Sequence, residues 1–190
     1  MPRLPLLTPS EASPEARERL LAAEQANGFL PNLLRVLAHA PAALEAYQTL
    51  SAINARAGLT LAEREAVQIT AAAIHGCGFC VAGHSAIATK KAGLAAETVE
   101  ALRSLAPPPD ARLAAVAAFT AAVIRSRGRV PDAELAAFRA AGFSDAAALE
   151  VVLGVALATL CNFANNLADP PLNAELEPFR WAGAPRLAAE

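Results

Sequence analysis

Two cysteines three positions apart, Cys77 and Cys80, are followed by His84, and Glu65 precedes the pair with eleven residues between it and Cys77. These are the parts of thiol chemistry. A thiolate attacks, an imidazole moves the proton, and a carboxylate on the far ring nitrogen fixes the tautomer and raises the basicity of the near one. On a helix at about 100° per residue, Cys77, Cys80 and His84 share one largely apolar face with Val81 and Ile87, while Thr89 and Lys90 lie opposite. Residues three apart on a helix have Cβ atoms roughly 5–6 Å apart, within reach of a disulfide, and His84 is one turn beyond Cys80. A cysteine pair at a helix N-terminus is also where the dipole and free N–H groups favour thiolate.

The carboxylate belongs to the preceding element. Thr60-Leu61-Ala62-Glu63 is a capping box, which predicts a helix from Leu61 to about His75, stopped by Gly76. Glu63 is engaged by the cap, whereas Glu65 falls inside the apolar stripe of Leu61, Ile69 and Ala72 and so points to the core. If the chain reverses at Gly76, Glu65 lies about 16 Å before the turn and His84 about 12 Å after it, at 1.5 Å per residue. The two meet across an antiparallel helix pair.

The remaining punctuation is helical too. Ser10 or Ser13 opens a helix to Asn27 with Gly28 behind it, a short piece spans Pro31 to Ala40, and Pro41 starts a helix that ends before Gly58. The cysteine helix runs to about Lys91, ended by Gly93, and another covers Ala95 to Leu105 ahead of Pro107-Pro108-Pro109, the only plausible linker. Asp110 caps a helix to about Arg127, Pro131 starts one that ends at Gly142, and Ser144 caps a long apolar helix to roughly Ala168. Pro170-Pro171 then closes the helical part and leaves a proline-containing tail.

Composition agrees with an all-α fold. Of 190 residues 55% are hydrophobic and only 5% aromatic, with Ala and Leu dominant, residues that lose little side-chain entropy in a helix. Sixteen basic against eighteen acidic residues leave a net charge of -2, so no basic field draws in a polyanion and nucleic-acid binding is disfavoured. The N-terminus lacks the basic start and apolar stretch of a secretion signal, and the longest apolar run, Val151 to Cys161, is well short of the roughly twenty residues that cross a bilayer. A cytoplasmic protein without a membrane partner is expected. Three cysteines cannot all pair, which points to cysteine chemistry in a reducing compartment.

A weak internal repeat appears at an offset of 84: Gly58-Leu59-Thr60 against Gly142-Phe143-Ser144, Val67 against Val151, Cys77 against Cys161 and Phe79 against Phe163. Glu65, Cys80 and His84 face Leu149, Ala164 and Ala168, so only the first copy carries polar chemistry.

Glu65, Cys77-Gly78-Phe79-Cys80 and His84 together resemble the active-site pattern of alkylhydroperoxidase D within the carboxymuconolactone decarboxylase superfamily. Gly28-Phe29-Leu30-Pro31-Asn32, Gly142-Phe143-Ser144-Asp145 and Asn162-Phe163-Ala164-Asn165-Asn166 look like the longer, peroxidase-related members, and the likeness covers roughly residues 20 to 175. The resemblance implies a single helical-bundle domain over 1–190, with an active-site half at about 41–105 and a degenerate half at about 110–170, two pseudo-repeated helical units. It further implies a thiol-dependent peroxidase or disulfide reductase, an oxidoreductase without metal, flavin or haem. Its partners would be a peroxide substrate and an external dithiol reductant, thioredoxin-like or a lipoyl protein, and it would assemble as a homotrimer or homohexamer. In the family the second cysteine becomes the sulfenic acid, so Cys80 would attack, Cys77 would resolve, and Glu65 with His84 would relay the proton. Alkylhydroperoxidase D itself has a histidine inside the pair where this chain has Phe79; His75, just upstream, is the nearest substitute.

Other readings of the same residues stand beside this one. Cys-x-x-Cys with a histidine also fits half of a structural zinc site completed by His75 or Cys161, within a non-catalytic helical oligomer. The superfamily name brings in cofactor-free lactone decarboxylation. Glu65 also fits a first-turn acid, His84 a satisfied core histidine, His39 a helix C-terminal residue and Cys161 a small buried hydrophobe. Asn162, Asn165 and Asn166 in a helix interior need partners, for which a structural role is favoured over a pocket lining.

Overall fold

Local capping chemistry sets the helix boundaries in the computed structural model, which describes residues 2–183. Met1 and residues 184–190, which the expected span of 1–190 and its proline-containing tail take in, lie outside the described residues. The order is α1 (Pro14–Asn27), α2 (Asn32–Leu37), α3 (Pro41–Ala55), α4 (Leu61–Ile74), α5 (Gly78–Lys90), α6 (Ala96–Arg103), α7 (Ala111–Ser126), α8 (Asp132–Ala140) and α9 (Asp145–Ala168), with no strand among the described residues. Ser13, Thr60, Asp110 and Ser144 each accept a backbone N–H in the first turn of α1, α4, α7 and α9, and Thr60 with Glu63 closes the expected capping box.

One element departs from expectation. The segment beyond Pro170-Pro171 folds into a 3₁₀ helix, Ala174–Phe179, whose Leu176 and Phe179 pack with Leu172 over Ala82 and Ala86 of α5. Proline ends α9 but does not prevent this turn, because a short 3₁₀ helix needs few backbone donors and the apolar side chains supply the packing.

Helix α4 is the centre. Ten of its fourteen residues are buried, and it packs against α5, α6, α7 and α9. It feeds two cores: Ala72 and Ala73 join Leu20, Leu34, Leu44, Val81 and Leu157 on one side, and Val67 and Ile69 join Leu102, Val116 and Val151 on the other. The second core is tied by Phe138 stacked between Phe119 and Phe143, with ring centroids 4.2 and 4.4 Å away. α9 approaches α4 closely at Gly154, whose carbonyl accepts the Gln68 amide at 2.9 Å; a Cβ there would stand 2.8 Å from Val67.

α9 alone among the described helices is long and apolar enough, by length and composition, to cross a bilayer. It is packed instead against α2, α3, α4, α5 and α7. The two helices that the sequence comparison pairs, α4 and α9, both start on a hydroxyl cap but end differently. α4 stops at Gly76, whose φ is +69°, while Leu160 stands at the equivalent place and α9 runs on to Ala168. A leucine resists the left-handed conformation that the reversal needs.

That reversal is a Schellman motif: the N–H of Cys77 bonds to the Ala72 carbonyl at 2.9 Å and the N–H of Gly76 to the Ala73 carbonyl at 3.2 Å. A Cβ at Gly76 would meet nothing within 4 Å, so a substitution there tests backbone strain alone. Gly76→Ala should cost about 1–2 kcal/mol, lowering the melting temperature by roughly 2–4 °C per kcal/mol in thermal denaturation followed by circular dichroism. An unchanged or raised melting temperature contradicts the assignment.

Candidate active site

Only His75, Gly76 and Cys77 separate α4 from α5, and Cys77 serves both helices. Its N–H closes α4, and its sulfur is the N-cap acceptor of α5, receiving the Cys80 N–H at 3.4 Å. The cysteine pair therefore sits at a helix start held from both sides. All three cysteines are free and buried.

Across the hairpin, Glu65 and His84 meet as the helix geometry predicts: Glu65 Oε2 lies 2.8 Å from His84 Nδ1. The Glu65 side chain is 7% exposed and that of His84 27%. Burial disfavours the imidazolium, and the charge and hydrogen bond of Glu65 more than offset this, so the pKa of His84 is held above its ordinary value. With Nδ1 engaged by the carboxylate, Nε2 is the ring nitrogen left free to exchange a proton.

The two thiols are unequal. Cys77 receives hydrogen bonds from the Cys80 thiol and the Cys80 N–H and feels the charge of His84, which together outweigh burial and hold its pKa below the usual thiol range. Cys80, donating to Cys77 and buried, is pushed well above it. The sulfur on the helix cap is therefore the more acidic of the two. Cys161 is pushed up to about 12, first by burial, and stays an inert thiol.

Sequence reasoning undervalued the asparagines of α9. Asn165 donates Nδ2 to Cys80 Sγ at 3.2 Å, Asn162 donates Nδ2 to His75 Nδ1 at 3.0 Å, and Asn166 donates Nδ2 to the His75 carbonyl at 2.9 Å. All three fasten α9 to the α4–α5 turn. His75 also packs edge-on against Phe163, with centroids 5.1 Å apart, and burial lowers its pKa. It is held by Asn162 rather than placed between the cysteines as a substitute for the histidine that Phe79 replaces. Three asparagines in an otherwise apolar helix were the available signal.

A cavity of about 340 Å³ opens at the turn, lined by Gly76, Cys77, Gly78, Phe79, Asn165, Asn166, Asp169, Pro170, Leu172, Arg180 and Trp181. It reaches Cys77 but not Cys80. Its far wall is the segment read from sequence as a tail; the spacing of Leu172, Leu176 and Phe179 and the single Trp181 were its signal. The Tyr47 phenol, packed against the core that contains both cysteines, is kept protonated chiefly by burial and also by the nearby Cys161, Cys80 and Glu65.

Glu63, expected only in the capping box, is also buried against Arg112 at 2.8 Å; burial raises its pKa, and bonds from Thr60 and Arg112 more than offset this to lower it. His39 binds the Pro5 carbonyl at 2.8 Å, remote from the cysteines in the structure's hydrogen bonding. Among the described residues no group of three or more His, Cys, Asp and Glu side chains is placed to hold a metal ion.

Residues 39–123 match the carboxymuconolactone decarboxylase family. Comparison with curated proteins gives no match. Among solved structures, a protein described as an alkylhydroperoxidase AhpD core, an uncharacterized peroxidase-related protein from Ralstonia eutropha JMP134, is similar with a TM-score of 0.83 and 25% identity over 92% of this chain and 94% of that one. A peroxidase-related protein from Silicibacter sp. TM1040 is similar with a TM-score of 0.78 and 23% identity over 93% and 94%. The ligand-free debrominase Bmp8 shares the fold with a TM-score of 0.73 and 23% identity over 91% and 93%.

Removing the Glu65 charge should lower the pKa of His84. In an NMR titration of the imidazole, the wild-type midpoint should lie above the ordinary histidine value of about 6.5, and that of Glu65→Gln below it. By linkage the native ion pair stabilises the fold at pH below the unfolded histidine pKa and is lost as pH rises through the folded one. Equal midpoints in the two proteins contradict the coupling.

Proposed function

The chain is an alkylhydroperoxidase D-like member of the carboxymuconolactone decarboxylase superfamily, and on that premise we propose that it is a thiol-dependent peroxidase that cycles Cys77 and Cys80 between dithiol and disulfide. The observation that carries this reading is the hydrogen-bonded, unbridged cysteine pair at the start of α5, beside a carboxylate–imidazole pair and open to a cavity. Each part answers a need of the reaction. A thiolate must exist at neutral pH, a second thiol must lie close enough to close a disulfide, and a base must accept and return protons.

In this cycle a hydroperoxide takes two electrons from the pair, giving one alcohol, one water and the Cys77–Cys80 disulfide. An external dithiol, thioredoxin-like or on a lipoyl protein, then returns two electrons and two protons. No step asks for a metal, flavin or haem. The superfamily name also covers lactone decarboxylation, but two free cysteines in hydrogen-bonding contact favour sulfur redox chemistry over plain acid–base catalysis.

The homotrimer or homohexamer is part of the same proposal. Leu149, Val152, Phe163 and Leu167 are exposed and share one face of α9, which supports an apolar contact between copies.

One equivalent of cumene hydroperoxide added to the reduced protein should remove two hydrogens from its mass, mapped by peptide analysis to a Cys77–Cys80 disulfide that dihydrolipoamide reverses. Cys77→Ser and Cys80→Ser should each lose multiple turnover. An unchanged mass, or undiminished turnover in either variant, contradicts the reading.

A further inference from the structure

We propose that Asn165, on α9, is a catalytic residue of the dithiol cycle: its amide N–H holds the negative charge that develops on the Cys80 sulfur, and its free carbonyl oxygen takes the O–H of the sulfenic acid that follows. This rests on the dithiol peroxidase reading, with Cys80 as the sulfur that receives the oxygen, as the resemblance implies.

Asn165 Nδ2 lies 3.2 Å from Cys80 Sγ inside the fold, where Asn165 is 3% and Cys80 5% exposed. A neutral thiol is a weak acceptor, whereas a thiolate receives the same N–H in a charge-assisted bond. The contact therefore gains most when Cys80 is charged, and an interaction that strengthens along the reaction is the kind that accelerates it. Fastening α9 to the α4–α5 turn does not need this bond, because Asn162 and Asn166 both bind His75. Of the three asparagines, Asn165 is the one that meets a sulfur.

The other end of the amide is unused. Asn165 Oδ1 is buried with no hydrogen-bond partner, an unfavourable state for an acceptor. An oxygen atom added to the Cys80 sulfur brings one O–H next to it. Asn165 also lines the cavity at the turn, so one side chain touches both that opening and the sulfur.

The surroundings of Cys80 call for such a donor. The hydrogen bond it gives to Cys77, burial, and the charges of Cys77 and of Cys161 on α9 push its pKa up, and the Asn165 amide pulls it down. Tyr47 on α3 and Cys161 keep their protons at neutral pH, and Glu65 on α4 is engaged by His84. Arg180, across the cavity, is paired with Glu177.

The atoms balance. Cys77 is the more acidic thiol, so charge reaches Cys80 when its proton passes to the Cys77 thiolate along the hydrogen bond between them. The Cys80 thiolate, held by Asn165, bonds to the terminal peroxide oxygen; the O–O bond breaks and the alkoxide leaves with the proton now on Cys77. The Cys77 thiolate attacks the Cys80 sulfur; the S–S bond forms, the S–O bond breaks, and hydroxide leaves as water with the proton of the His84 imidazolium, whose charge Cys77 feels.

The test follows thiolate absorbance near 240 nm against pH in Cys77→Ser, where Cys80 titrates without its partner and Cys161, pushed up to about 12, stays silent. Adding Asn165→Ala should raise the Cys80 midpoint by about one pH unit, a tenfold loss of thiolate at a fixed pH below it; Asn165→Asp, which keeps the shape but offers a carboxylate, should raise it at least as far. In the NMR spectrum of Cys77→Ser the Asn165 side-chain amide should shift with that same midpoint, a readout that needs no change at this residue. With both cysteines present, Asn165→Ala should close the disulfide about tenfold more slowly than wild type on one equivalent of cumene hydroperoxide. Midpoints unmoved in both variants, or an Asn165 amide that does not follow the titration, overturn the role of Asn165 while the wild-type disulfide still forms. If the wild-type protein forms no disulfide on peroxide treatment, the dithiol reading itself falls, and this inference with it.

Discussion

Three residues, His75, Gly76 and Cys77, turn α4 back as α5, and every polar contact of the site depends on that reversal. Gly76 takes the left-handed conformation, Cys77 closes one helix with its N–H and opens the next with its sulfur, and the register of the two helices then brings Glu65 to His84 at 2.8 Å. A longer loop would let the helices slide, and a displacement of about one residue, 1.5 Å, would part the carboxylate from the imidazole. The stretch 84 residues on, which the sequence comparison pairs with this one, lacks the glycine. With Leu160 in its place, α9 continues as a helix, and its cysteine, Cys161, remains a buried core thiol.

α9 then takes a different part. Asn162 and Asn166 hold His75 on either side, and Asn165 reaches Cys80, so the unbroken helix braces the broken pair at its turn. Buried amides need partners, and their partners are the backbone and side chains next to the thiols. Held in this way, the two sulfurs sit in different surroundings: one caps a helix beside a cavity, the other faces an amide. The acidities of the two thiols differ accordingly, the capping sulfur being the more acidic.

Much of this was legible in the sequence because it is local. Thr60 and Glu63 write a capping box, Ser13, Asp110 and Ser144 mark helix starts, and Gly28 and Gly76 mark stops, since each acts within a few residues of chain. The approach of Glu65 to His84 was legible too, because a tight reversal makes it a matter of counting 1.5 Å steps. What was not legible depends on elements distant in sequence. Asn165 lies 85 residues from Cys80 and Asn162 lies 87 from His75, and no periodicity states that α9 crosses the turn there. The segment after Pro170 reads as a tail by its prolines, yet its Leu172, Leu176 and Phe179 find a surface on α5. Which cysteine meets the cavity follows from that same distant segment, so local spacing leaves it open.

The unequal surroundings of the two sulfurs make Cys77, on the cap of α5, the more acidic thiol. The most direct test is the thiolate absorbance near 240 nm, followed as a function of pH in the reduced wild-type protein, Cys77→Ser and Cys80→Ser. The account predicts one thiolate that forms below the usual thiol range in the wild type, persists in Cys80→Ser and vanishes from that range in Cys77→Ser. A wild-type titration wholly within or above the usual thiol range, or an early thiolate that persists in Cys77→Ser, would contradict it.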